Sequence, residues 1–239
     1  MKEGRVIIPT KDDGTYDIEK QKEIAVKYKD IENKKNNLLK KIGYLSKVKI
    51  EINKEEKINY KSIKISDLCN PVNGNSDYTK EYCMKHKGNI PVYSGNTVGI
   101  FSYVNKADYN GKYLTWAKDG LAGYIMIHNG PFCITGHRGI LIFNKDIKNI
   151  DLNYIKLILE PIFRASVKGR VGINGKNEYT TLNQTMIRSI KEEIKIPVDS
   201  KGVFDIDKQK EIAQKIAAIE SIKQDLYNKV LSLVNIYIA

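Results

Sequence analysis

Apolar residues recur at steps of four and three along two stretches of the chain. Ile24, Tyr28, Ile31, Leu38, Ile42 and Leu45 form one ladder, broken once by Lys35. Ile212, Ile216, Ile219, Leu226, Val230 and Leu233 form the other, broken by Lys223. That period puts each set on one stripe of an α-helix, a heptad seam able to pair with a second helix. The offset that superimposes Lys35 on Lys223 also carries Ile8-Pro9 onto Ile196-Pro197, Gly14 onto Gly202 and Asp17-Ile18 onto Asp205-Ile206. The run from Lys20 to Ala25 matches Lys208 to Ala213 without a difference. Each copy predicts a turn containing Gly, an Asp suited to cap a helix N-terminus, and a helix of about thirty residues, roughly 45 Å long.

Between Tyr60 and Ile196 the period changes. Residues 60–68 alternate as a strand does. Short apolar runs then alternate with Gly and Asn turns, at 90–93, 99–104, 112–117, 123–128 and 139–143. This spacing predicts a curled, mostly antiparallel β region. One helix is predicted from Asp151 to Ser166, with Leu152, Ile155, Ile158, Leu159 and Ile162 inward. A basic, Gly-rich loop follows, and then a short helix over 182–189. The expected fold class is α+β: one mostly β domain over 51–196, between an N-terminal helical segment over 1–50 and a C-terminal helix over 197–239. The two long helices are expected to pair as an antiparallel coiled coil through Ile24, Tyr28, Ile31, Lys35, Leu38 and Ile42 against Ile212, Ile216, Ile219, Lys223, Leu226 and Val230.

Composition adds a partner class. The chain of 239 residues is 41% hydrophobic, 28% charged, and carries a formal charge of +12. Such a chain is attracted to polyanions, nucleic acid above all. Three cysteines, Cys69, Cys83 and Cys133, form no disulfide framework. No apolar run reaches the ~18 residues of a membrane span, and residues 1–14 lack the apolar core of a signal peptide. A cytoplasmic location and no membrane partner are expected.

Catalytic chemistry is not legible. Residues 169–176 resemble a phosphate loop, but Arg170 and Asn177 stand where Gly and Ser or Thr would be needed. Glu193-Ile-Lys195 lacks the Pro-Asp partner of a nuclease site. Cys69, Cys83 and His86 lack a fourth ligand for zinc. Asn70-Pro-Val-Asn73 lacks the aromatic residue of a methyltransferase motif. The expectation is a non-enzyme with no metal and no cofactor of its own.

Three stretches, GNIPVYSGNTVGIFSYV, YLTWAKDGLAGYIMIHNGPFCITGHRGIL and TTLNQTMIRSIKEEIKIPV followed by DKQKEIAQKI, resemble the specificity (S) subunits of type I restriction–modification systems. The middle is similar to one target recognition domain of that family, and the repeated helices to its spacers. The order here is spacer, recognition domain, spacer, whereas family members usually carry two recognition domains. The chain resembles the second half of an S subunit with the central spacer attached. The resemblance implies recognition of double-stranded DNA and docking of adenine methyltransferase (M) subunits. Restriction (R) subunits would join through them, with S-adenosylmethionine on the partner and no catalysis in this chain. A second S half would come by self-association or from another S chain. An interaction protein or decoy that binds such partners without reading DNA is the alternative.

Base reading needs forked donors and acceptors on loops, and cations for phosphate. The candidates are Ser94, Asn96, Thr97, Lys118, Asp119, His137, Arg138, Lys168, Arg170, Asn174, Lys176 and Asn177. Arg138 and Arg170 are placed to hold guanine edges; Asn96, Asn174 and Asn177 suit adenine.

Overall fold

The computed structural model describes residues 7–45, 58–96, 99–171 and 177–234. In chain order the elements begin with α1 (Ile18–Leu45), β1 (Tyr60–Lys64), α2 (Ile65–Leu68), β2 (Cys69–Asn73), α3 (Lys80–Lys85), β3 (Ile90–Tyr93) and β4 (Ser102–Val104). They continue with β5 (Tyr109–Asn110), β6 (Tyr113–Ala117), β7 (Asp119–Gly120), β8 (Ile125–His128), β9 (Pro131–Ile134) and β10 (Arg138–Phe143). The last are α4 (Leu152–Ala165), β11 (Lys168–Val171), β12 (Asn177–Thr181), α5 (Gln184–Arg188), β13 (Glu193–Pro197) and α6 (Ile206–Val234). The α+β architecture expected from the sequence is present. The chain divides into two compact units, residues 1–51 with 216–239, and residues 52–215.

The first unit gathers α1 and the later turns of α6. Ile24, Ile31, Lys35 and Leu38 on α1, and Ile216, Lys223 and Val230 on α6, are half-buried. Tyr28, Ile219 and Leu226 on the same stripes are more open, at 50%, 38% and 42% exposed. Among the described residues of this unit no rung of the stripe is fully buried, as in a thin helical layer. The side chain of Ile42 lies outside the described residues. Lys223 sits in the stripe with its Nζ 2.9 Å from Glu220 Oε1.

The repeat holds at the level of single hydrogen bonds. In the first copy Thr10 bridges Tyr16, and in the second Val198 bridges Phe204. Lys11 N donates to Thr15 O as Asp199 N donates to Val203 O. Asp17 N donates to Pro9 O as Asp205 N donates to Pro197 O. Gly14 and Gly202 take φ of +79° and +78°, a left-handed turn conformation that costs glycine little. Asp17 Oδ1 then accepts from Lys20 N, and Asp205 Oδ1 from Lys208 N, both at 2.9 Å. Each Asp satisfies a first-turn amide that the helix leaves orphaned.

Residues 52–215 form the β-rich unit. It holds a pair β1-β13 and three sheets in the orders β2-β10-β6-β8, β11-β12-β7 and β4-β3-β9-β5. Pairing is antiparallel except for β3 with β9. At the centre lies Trp116, fully buried, its Nε1 donating to Leu182 O at 2.8 Å. Phe163 of α4 meets it edge-on, with ring centroids 6.4 Å apart. α4 starts at Asp151, whose Oδ1 accepts from Tyr154 N. It buries Tyr154, Ile155, Leu159 and Phe163, while Leu152, Ile158 and Ile162 are only half-buried. The two aromatic residues widen the inward stripe beyond the aliphatic one expected. Tyr154 also anchors β13 through its hydroxyl to Lys195 O at 2.7 Å. The strand expected over 60–68 stops at Lys64, where one helical turn buries Ile65 and Leu68 on the same side.

The C-terminal domain boundary falls later than the expected 196/197 junction. Gln209 is fully buried: its Nε2 donates to Asn149 O at 2.9 Å, and its Oε1 accepts from Asp151 N at 3.0 Å. Ile212 and Ala213 are buried beside it in sequence. The first turns of α6 are therefore part of the β-rich unit. Asn149, held by that bond, has φ +56°, a left-handed geometry that Asn tolerates better than most residues.

Candidate nucleic-acid interface

Short strands bring distant loops together at Asp119. β7 pairs with β12 so that Asp119 lies opposite Thr181, and Thr181 lies opposite Lys168 of β11. Directly opposed residues share a face of a sheet, so these three form one row. Asp119 Oδ1 accepts from Thr181 Oγ1 at 3.1 Å, and Oδ2 lies 3.1 Å from His137 Nδ1. The loop between β9 and β10 supplies His137. Lys118 fastens that loop: its backbone N donates to His137 O and its Nζ to Gly136 O at 2.8 Å. Thr135 Oγ1 reaches across to Ser94 Oγ at 3.0 Å. A cleft of about 290 Å³ opens here, with Ser76, Tyr78, Phe101 and Thr135 among its walls beside Ser94, Asp119 and His137.

The structure thus brings together Ser94, Lys118, Asp119 and His137, with exposed Lys168 in the same sheet as Asp119. Asn96 stands at the end of the Ser94 loop. Thr97, Asn174 and Lys176, and the side chains of Arg170 and Asn177, lie outside the described residues.

Arg138 is corrected. Its expected role was a forked contact to guanine, but the side chain is fully buried. Nε donates to Ser94 O at 2.7 Å, Nη2 to Asn96 O at 2.6 Å and Nη1 to Thr115 Oγ1 at 3.0 Å. The fork is spent on the loop it supports. Lys118 gives one of the three donors of its ammonium to Gly136 O. Sequence reasoning missed Thr181, Thr135 and the ring walls, which only strand register brings to the site. It also missed Leu121 and Tyr179, 60% and 52% exposed apolar residues on or beside β7 and β12.

Beneath the loop, Thr115 passes the polar chain to His128. Its hydroxyl accepts from Arg138 and lies 2.8 Å from His128 Nε2. Burial, aided by the Arg138 charge, lowers the His128 imidazole to about 4. The folded-state value lies below the ordinary 6.5, so its stabilising effect is present above pH 6.5 and lost as pH falls toward 4. The difference of 2.5 units corresponds to about 3 kcal/mol at 1.36 kcal/mol per unit. Urea unfolding at pH 7 and pH 4.5 checks this: His128→Gln, whose amide oxygen also accepts from Thr115, should flatten the acid loss.

The three cysteines are buried and unbridged, and burial pushes Cys69 up to about 12. Among the described residues no group of three or more His, Cys, Asp or Glu side chains is placed to hold a metal, and no helix is long and apolar enough to cross a membrane.

Along the chain, a β-rich domain follows one long heptad helix and precedes another. Residues 57–234 match the type I restriction modification DNA specificity domain, and the chain belongs to that family. It is 33% identical over 119 residues to the putative type I specificity subunit S.MpnORF507P of Mycoplasma pneumoniae, covering 48% of this chain and 32% of that protein. It is 30% identical over 122 residues to the type I restriction enzyme MpnII specificity subunit of the same organism, covering 50% and 37%. The fold is similar to the S subunit of the type I restriction-modification system from M. genitalium, with a TM-score of 0.53 at 14% identity, covering 71% of this chain and 41% of that one. The chain spans about a third to a half of the length of the curated relatives it matches.

Proposed function

We propose that this chain is a sequence-reading DNA module of a type I restriction–modification complex, itself without catalytic activity. The observation that carries the reading is the meeting of β7, β12 and the β9–β10 loop at Asp119, in a domain whose family is the DNA specificity domain. The charge of +12 supports a polyanionic partner. Lys168 and Lys176 are the candidate phosphate contacts and Arg170 the candidate for a guanine edge; Ser94, Asn96, Thr97, Asp119, His137, Asn174 and Asn177 are the remaining candidates for base contacts. The matched helices hold the reader at a fixed distance and offer a docking surface to adenine methyltransferase subunits, which bring S-adenosylmethionine. Restriction subunits join through those partners. A second recognition half comes from another copy or another S chain, and the complex works in the cytoplasm.

Filter binding at graded salt tests DNA binding by the chain alone. About four phosphate contacts give a slope near −3.6 in log affinity against log salt. A slope near zero at low salt, with methyltransferase binding retained, would instead mark an interaction protein that does not read DNA.

A further inference from the structure

We propose that the cleft beside Asp119 selects a base carrying a major-groove amino group, adenine or cytosine, at one position of the target; this rests on the DNA-reading function above. A carboxylate is an odd group on a surface that meets phosphate, because it repels the backbone. Among the described residues, the Asp119 oxygens engage the Thr181 hydroxyl and the His137 ring and no lysine or arginine. A carboxylate offers about four lone-pair sites and only accepts. Two are occupied here, which leaves acceptor capacity at the cleft. Its side chain is 25% exposed, enough to be reached and little enough to be held.

The surroundings fix that acceptor in place. Thr181 is set by strand register, His137 by the Lys118 backbone bond, and the opposite wall by Arg138. Adenine N6 and cytosine N4 donate in the major groove, whereas guanine O6 and thymine O4 accept there. A fixed carboxylate attracts the first pair and repels the second. Ser94 and Thr135 hydroxyls donate or accept as the remaining edge requires, and Tyr78 and Phe101 give the cleft aromatic walls.

Selection from a randomised duplex pool at low salt, using the purified full chain, tests this. The enriched motif identifies the fixed base pairs, each of which carries one amino base, adenine or cytosine, on one strand; at one of them that base is the expected contact. Replacing that base by purine or 2-pyrimidinone, which lack the amino group, should weaken binding roughly 5- to 150-fold. Asp119→Asn adds a donor at the same place, and its selection should admit guanine or thymine there. A motif that Asp119→Asn leaves unchanged, or analogues that bind as well as the natural base, overturns the assignment of the cleft while DNA reading stands. The analogue arm uses only wild-type protein and decides the matter even if Asp119→Asn folds poorly. Enrichment of no motif by the wild-type chain overturns both readings.

Discussion

Arg138→Ala lowers the unfolding midpoint by about 6–12 °C and removes sequence preference together with stability. The guanidinium is buried without a carboxylate partner, and burial lowers its pKa to about 10. Taking that charge out of water costs several kcal/mol. Three charge-assisted hydrogen bonds oppose it, each worth about 1.5–3 kcal/mol. The bonds win, and truncation leaves Ser94 O, Asn96 O and Thr115 Oγ1 without their donor. The expected net loss is about 3 kcal/mol, at about 2–4 °C per kcal/mol for a chain of this size. Arg138→Lys should recover only part, since one ammonium cannot span three acceptors. Thermal unfolding checks the first effect. Unchanged stability with an altered base preference would instead mean that Arg138 swings out to read DNA.

Gly139→Ala carries a comparable loss, for a steric reason. Gly139 lies opposite Trp116 in the β6–β10 ladder. A Cβ there would fall inside the van der Waals envelope of ring carbons Cη2, Cζ2 and Cζ3 of Trp116. The indole has nowhere to go: it is fully buried, bonded to Leu182 O and braced by Phe163. Overpacking of this kind costs about 1–3 kcal/mol, and more where neighbours are rigid. Emission of this single tryptophan reports the disturbance directly. Gly139→Ala combined with Trp116→Leu should recover part of the loss, and the non-additivity measures the clash. An unshifted midpoint for Gly139→Ala would show that the ring moves freely.

The repeat was the most legible feature of the sequence, because its parts are local. Asp17 and Asp205 cap the helices they precede, and Gly14 and Gly202 occupy matching left-handed turns. The strands containing Trp116 and Ile140 were legible for a similar reason, being short apolar runs between turn residues. The site was legible only as a set of loops. Arg138 reads as an exposed loop cation beside His137, yet β10 begins with it and the loops over 94–96 fold across it. Thr181 and Asp119 meet because of register over 62 residues of separation, which no local pattern encodes. The late domain boundary has the same origin. Gln209 belongs to a helical repeat by sequence, and to the β-rich unit by two hydrogen bonds to Asn149 and Asp151. Its counterpart Gln21 has the same neighbours in sequence and is only half-buried.

Under the proposed function, this chain supplies sequence choice to a methyltransferase partner. Methylome sequencing of cells that express a type I adenine methyltransferase, with and without the chain, tests it most directly. Methylated adenine confined to one interrupted motif, present only with the chain, is the predicted result. Identical adenine methylation in both strains would contradict the account.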